Sequence, residues 1–141
     1  MDDLEAVWAE TTGGGLLKDL FGYYPTMHDA RIRRIVFDRQ ENSVEMLMHY
    51  YDATEVNPAA GDLHVLVVLT WLGVRAFEMT IDDNDLMRME IARKDDLIRM
   101  DFTFCCGTSG HIESERFEAR LEKLDPLLDK DEAYNVTLVY R

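Results

Sequence analysis

Apolar and polar residues alternate through most of this chain, the pattern expected of β-strands that bury one face. The alternation predicts strands at residues 31–38, 43–52, 63–71, 77–81, 86–92, 100–104 and 136–140. In residues 63–71 both alternating sets are largely apolar. We therefore expect this strand to be buried on both faces near the middle of a sheet.

Two stretches fit the alternation less simply. Gly73 follows the apolar strand and is expected to bend the chain before the next strand begins. In residues 114–124, Phe117 and Leu121 have helical spacing, but the same segment also alternates as a strand. We favour a strand up to about Ala119.

The N-terminal part differs from the rest of the chain because its apolar residues have helical spacing. Short helices are predicted at residues 4–10 and 16–21, and Gly22 is expected to end the second. Pro25 then forbids a further helix and favours extended backbone before it. The predicted fold is α+β, a mainly antiparallel, curved β-sheet with short N-terminal helices, in one domain spanning residues 1–141.

The charge of the chain narrows its possible partners. Among 141 residues, 28 are Asp or Glu and 15 are Lys or Arg, which gives a net charge of −13. Such a charge repels nucleic acid and anionic membranes and accelerates encounter with basic partners. It also confers solubility, which is a sufficient explanation by itself.

Two features predict a cytoplasmic protein. The first eight residues are acidic and lack the apolar segment of a signal peptide, and the longest apolar run is too short to span a membrane as a helix. The two cysteines, Cys105 and Cys106, are adjacent, a spacing at which a disulfide is strained, so both are expected to be reduced. Their loop resembles neither a spaced metal-binding motif nor a nucleophile elbow.

The candidate for chemistry is the doublet His28-Asp29. Adjacent His and Asp residues occur in metal-dependent phosphohydrolases, but those enzymes collect further ligands on a helical bundle, whereas this doublet precedes a strand. Neighbouring residues of a strand face opposite ways, so the pair can share a site only in a bend. A structural role, in which Asp29 accepts backbone N–H bonds and His28 donates to a carbonyl, is favoured over an enzyme that would recruit His64 or His111.

Acidic residues in predicted turns are the candidates for contacting a basic partner. They lack the spacing of a calcium-binding loop, and hairpin turns tend to gather at the ends of a sheet. The candidates are Asp82, Asp83, Asp85, Asp95 and Asp96. The arginines at the first strand, among them Arg31 and Arg33, are expected to pair with internal carboxylates. No cofactor or metal is expected.

The stretch LFGYYPTMHDARIRRIVFDR resembles the start of the immunity protein 50 family of bacterial polymorphic-toxin systems. This pattern has an aromatic-Gly pair, an aromatic-Pro pair, His-Asp-Ala and a hydrophobic strand that ends in Asp-Arg. The matching residues are Phe21, Gly22, Tyr24, Pro25, His28, Asp29, Ala30, Ile32, Asp38 and Arg39. HVLVVLTWLGV and FTFCCGTSGHIE are similar to later segments of the family in their order. In this resemblance Phe21, Gly22, Pro25, His28 and Asp29 form a structural motif.

The resemblance implies a bacterial immunity protein that binds and occludes a cognate toxin and is not an enzyme. Many such toxins are nucleases with basic clefts, to which an acidic inhibitor would be attracted. The implied partner is the toxin alone, with no nucleic acid or membrane, and the protein is expected to be a monomer or a weak homodimer. Two alternatives stay open: a small metal- or ligand-dependent enzyme centred on His28 and Asp29, and a homo-oligomeric interaction module.

Overall fold

The computed structural model describes residues 3–52, 56–60, 63–82, 84–124 and 136–141. Two short helices come first, α1 (Asp3–Glu10) and α2 (Gly15–Phe21). The strands that follow are β1 (Arg31–Asp38), β2 (Ser43–Tyr51), β3 (His64–Met79), β4 (Leu86–Lys94), β5 (Leu97–Phe104), β6 (Ser109–Leu124) and β7 (Thr137–Tyr140). Single turns of 3-10 helix lie at Pro58–Ala60 and Cys105–Gly107.

The described strands form one sheet in the order β4-β5-β6-β3-β2-β1-β7. All neighbouring strands are antiparallel except β7, which pairs parallel with β1. The sheet does not close into a barrel. The α+β, mainly antiparallel fold with N-terminal helices is therefore confirmed.

The pair of long strands β3 and β6, 16 residues each, is the axis of the fold. β2 pairs with β3 only from His64 to Leu72, and β5 pairs with β6 only from Ser109 to Ser114. The long pair therefore joins two halves of the one sheet, with β2 and β1 at one of its ends and β5 and β4 at the other. The Trp71 ring on β3 packs edge-on against Phe102 on β5, with centroids 6.0 Å apart, so apolar side chains of the two halves share one core.

The prediction for residues 63–71 is confirmed, because β3 is the central strand and the consecutive residues Val67 and Val68 are both buried. The bend was predicted at Gly73, but the prediction that a separate strand begins after it is wrong. β3 continues through Gly73, which has a φ of +65°, and the register with β6 shifts just beyond it. A glycine can adopt this φ without strain and bend a strand without ending it. β6 is also longer than predicted and extends to Leu124.

The helices cover the second half of β6. Val7, Trp8, Leu17 and Phe21 are completely buried, and the Trp8 ring contacts that of Phe117 edge-on at 5.2 Å. Gly22 ends α2 in the left-handed conformation, with φ +86°, and its N–H donates to the Lys18 carbonyl. No helix of the described residues has the length and apolar character needed to cross a membrane.

Candidate functional site

The His28-Asp29 doublet lies in a bend between α2 and β1. Two non-glycine residues of this bend, Met27 and Asp29, have left-handed backbone with φ values of 62° and 64°. The bend brings the two side chains of the doublet together, with His28 Nδ1 3.3 Å from Asp29 Oδ2, and both are 39% exposed. Left-handed backbone is unfavourable for most residues but is tolerated best by Asn and Asp, which gives Asp29 a conformational reason to be there.

Backbone hydrogen bonds attach this bend to the edge strand β4. The N–H of Asp29 donates to the Leu86 carbonyl at 2.6 Å, and the N–H of Leu86 donates to the Ala30 carbonyl at 3.0 Å. The N–H of Met89 also donates to the Thr26 carbonyl at 2.7 Å. The bend therefore connects the β4 edge of the sheet to the start of β1. Among the described residues, backbone bonds hold the bend in place of the side-chain bonds expected for Asp29 and His28.

Asn84 completes this connection. Its Oδ1 accepts a hydrogen bond from the Ile32 N–H at 2.9 Å, and its Nδ2 donates to the Ile32 carbonyl at 2.6 Å. The side-chain amide thus takes the place of a peptide group paired with β1, although Asn84 is only 2% exposed. Sequence reasoning treated this residue as part of a solvated acidic turn. Asn84 is the one uncharged residue of the sequence Asp-Asp-Asn-Asp, and this difference was the signal that its side chain faces inward.

The other histidines lie apart from the doublet along the strands. His49 Nε2 and His64 Nδ1 are 2.9 Å apart on β2 and β3, and the His64 ring stacks on that of Tyr51. His111 is on β6, where it pairs across the sheet with Asp101. Within the part of the chain that the structure describes, no three His, Cys, Asp or Glu side chains are grouped so that they could hold a metal ion.

Two tyrosines with raised pKa values, Tyr23 and Tyr50, form a hydrogen-bonded group with Asp52. The Tyr23 hydroxyl lies 2.6 Å from the Tyr50 hydroxyl and donates to Asp52 at 2.8 Å. Burial and the bond to Asp52 raise the pKa of Tyr23 to about 12, and burial raises the pKa of Tyr50 further. Asp52 also accepts the N–H groups of Val56 and Asn57. The arrangement therefore attaches Tyr23 and the backbone of residues 56–57 to the end of β2, and both tyrosines are neutral at pH 7.

The predicted acidic contacts do not form one surface. Asp82 is exposed after the end of β3, and the half-buried Asp85 lies 3.5 Å from Arg31. Asp95 and Asp96 are exposed in the turn at the other end of β4, about 26 Å away at the usual strand rise. Asp83 lies outside the described residues.

An open apolar groove lies beside Asp82. Its volume is about 440 Å³, and it separates β1 and β7 on one side from the end of β3 on the other. The apolar residues that line it are Ile35, Phe37, Phe77, Met79, Ile81, Val136, Leu138 and Tyr140. The Phe37 ring stacks on Tyr140 at 5.1 Å and contacts Phe77 edge-on at 5.2 Å. Leu138 is 51% exposed and Tyr140 is 73% exposed.

Sequence reasoning predicted the strands that line this groove but not the groove itself. The alternation predicts that Phe77 and Met79 share one face of their strand and that Leu138 and Tyr140 share one face of theirs. Which of these positions is covered depends on the curvature of the sheet, which the alternation does not contain.

No protein-family model matches this chain, and neither does any curated protein. A solved structure to which this chain is similar is the crystal structure of an uncharacterized protein from Neisseria gonorrhoeae. It is 11% identical to this chain, with a TM-score of 0.47, over 66% of this chain and 91% of that one.

Proposed function

We propose that this chain is a cytoplasmic immunity protein, a non-enzymatic inhibitor that binds a cognate basic toxin and occludes it. The observation that carries the proposal is the open apolar groove with exposed Leu138 and Tyr140 on a protein of net charge −13. Contiguous exposed apolar surface on a soluble protein is typical of an interaction site. The negative charge favours a basic partner and increases the rate of encounter with it.

The charge distribution indicates which acidic residues contribute to binding. Asp82 lines the groove, so it is close enough to a bound partner to contact it directly. Asp95 and Asp96 lie at the far end of β4 and act through the long-range field, which salt screens over about 10 Å. Reversing the charge of Asp82 should therefore speed dissociation of the complex and weaken binding more than reversing that of Asp95, which should chiefly slow association.

The proposal is tested with the product of the adjacent gene. Co-expression should relieve its toxicity, and the purified proteins should form a stoichiometric complex at micromolar concentration or below. A neighbouring product that is not toxic, or that forms no complex, would refute the proposal. Metal analysis of the purified protein and of His28→Ala separates the enzyme alternative, because stoichiometric metal that this substitution removes would favour it.

A further inference from the structure

The groove has the shape of a slot beside the edge of the sheet. After Gly73 the chain runs back along β1 in the opposite direction. Phe77 contacts Phe37 at one end of this course, and Asn84 bonds to Ile32 at the other. Between these two contacts the walls separate and the groove lies open. The lining residues from Phe77 to Asp82 span about 17 Å of extended chain, which is enough for an extended segment of about five residues.

The strand β7 forms the outer wall of this slot and is an edge strand, since in the described part of the chain it pairs with β1 alone. Just beyond β7, the N–H of Arg141 donates to the Phe37 carbonyl at 2.8 Å, and the Arg141 carbonyl accepts the N–H of Arg39 at 3.3 Å. Backbone groups of a parallel strand bond to its two sides at alternate residues. Leu138 and Tyr140 therefore direct their N–H and C=O groups away from β1.

The same two residues carry the exposed apolar side chains. β7, with the sequence Thr-Leu-Val-Tyr, contains no Lys or Pro, the residues that usually protect an edge strand from pairing with another chain. What limits pairing of β7 with another chain is its length of only four residues. Leu138 and Tyr140 thus present both outward backbone groups and exposed apolar side chains beside an apolar groove. Proteins that bind an extended peptide as an additional strand of a sheet use this combination.

We propose that β7 receives an extended segment of the cationic partner as an additional strand of the sheet, with alternate apolar side chains in the groove and a Lys or Arg near Asp82. The backbone of Leu138 and Tyr140 supplies the hydrogen bonds, and the groove lined by Ile35, Met79 and Ile81 supplies the contacts that select apolar side chains. A second copy of this chain fits the site less well than a cationic partner because it would bring a further charge of −13 to the interface. This inference rests on the proposed function for the identity of the partner.

Two probes test the inference, the toxin encoded by the adjacent gene and linear peptides selected from a displayed library on the immobilised protein. The double variant Leu138→Ser/Tyr140→Ser removes the apolar contacts. Tyr140→Pro removes an outward N–H together with the Tyr140 ring while the bonds of β7 to β1 remain, so its comparison with Tyr140→Ser isolates the N–H. Val56→Ser is the matched control, because Val56 is 59% exposed in the loop after β2. Circular dichroism and a thermal melt establish that each variant is folded.

For both probes we expect Leu138→Ser/Tyr140→Ser and Tyr140→Pro to weaken binding by about tenfold or more, and Val56→Ser to leave it unchanged. Selected peptides should carry apolar residues at alternate positions and at least one Lys or Arg, and Asp82→Lys should weaken their binding.

The outcomes separate this inference from the proposed function. A toxin that binds the groove variants as tightly as the unaltered protein would overturn strand addition and leave the immunity function standing. Peptides that bind the groove while the neighbouring product forms no complex would support strand addition and refute the proposed partner. A concentration-dependent dimer in analytical ultracentrifugation that Tyr140→Pro abolishes would overturn the cationic partner in favour of a second copy.

Discussion

Replacing Asn84 by alanine should destabilise the protein more than the same replacement of any other residue with a side-chain amide among the described residues. The substitution removes the acceptor of the Ile32 N–H and the donor to the Ile32 carbonyl, and Ile32 is completely buried. A buried polar group left without a partner costs about 1–3 kcal/mol, so two such groups give a loss of about 2–6 kcal/mol in the free energy of unfolding. A domain of this size has about 5–15 kcal/mol in total.

The measurement is urea unfolding followed by tryptophan fluorescence, since Trp8 and Trp71 are both completely buried. With an m-value of about 2 kcal/mol per M, a loss of about 3 kcal/mol lowers the midpoint by about 1.5 M. Asn42→Gly is the matched control. Asn42 Nδ2 also donates to a strand carbonyl, that of Val74 at 2.9 Å, but this bond is exposed, and glycine accepts the φ of +50° at this position. The control should lose less than about 1 kcal/mol.

Asn84→Asp tests the donor separately. Aspartate keeps an acceptor for the Ile32 N–H but, when ionised, places a negative oxygen against the Ile32 carbonyl. When the carboxyl group is protonated, its O–H can donate to that carbonyl again. The difference in stability between this variant and the unaltered protein should therefore shrink as the pH is lowered. If Asn84→Ala costs no more than Asn42→Gly, the inference that Asn84 replaces a peptide group beside β1 is refuted.

Three further predictions test local parts of the structure. Gly22→Ala should cost about 1 kcal/mol or more, because φ is +86° and the added Cβ would lie 3.0 Å from Asn57 Nδ2. Gly15→Ala is its control. The Cβ added there would have no atom within 4 Å, so this variant should be neutral or slightly stabilising in the same unfolding experiment. The pKa of Tyr23 is raised to about 12, so folding favours its neutral form. The stability that results is complete below about pH 10 and is lost as the pH rises towards about 12. Unfolding curves recorded across that range should show a shallower loss of stability for Tyr23→Phe. Asp29→Gly should retain or increase stability, whereas Asp29→Val should cost about 1–2 kcal/mol because a β-branched residue resists the φ of +64°; equal melting temperatures would contradict this explanation.

The strands with one buried face were predictable because a period of two specifies both the element and its orientation. β1 begins and ends where the alternation predicts, at Arg31 and Asp38, and Gly22 ends α2 as expected. Local signals sufficed at these points because short-range geometry decides them. One detail inside β1 escaped the pattern, namely a register shift between Ile32 and Arg34 that places Ile32 and Ile35 on the buried side.

Long-range geometry decided the features that were missed. The sequence around Gly73 predicts a bend between two strands, but pairing with β6 on both sides of the glycine keeps the strand continuous. The acidic turns read locally as one charged surface, but the length of β4 separates Asp95 from Asp82. Neither outcome is encoded within the few residues concerned. Both depend on which strands pair, and over what part of their length.

The curvature of β3 and β6 has a further consequence for function, because it leaves two lengths of strand without a second partner strand among the described residues. The second half of β6 is covered by the N-terminal segment, through the contact between Trp8 and Phe117 and the bond from the Ala119 N–H to the Thr12 carbonyl. The second half of β3 faces the open groove. Among the described residues, the N-terminal helices cover one of these surfaces and nothing covers the other.

If the groove were only an imperfectly filled part of the core, its exposed apolar residues would stabilise the fold. Leu138 and Tyr140 are more than half exposed. Replacing their side chains by serine therefore removes little buried apolar area apart from the stacking of Tyr140 on Phe37. Leu138→Ser/Tyr140→Ser should therefore lose only about 1–2 kcal/mol of stability while losing about tenfold or more in binding. A variant that unfolds instead of losing affinity would assign these side chains to the core and leave the groove without a role in recognition.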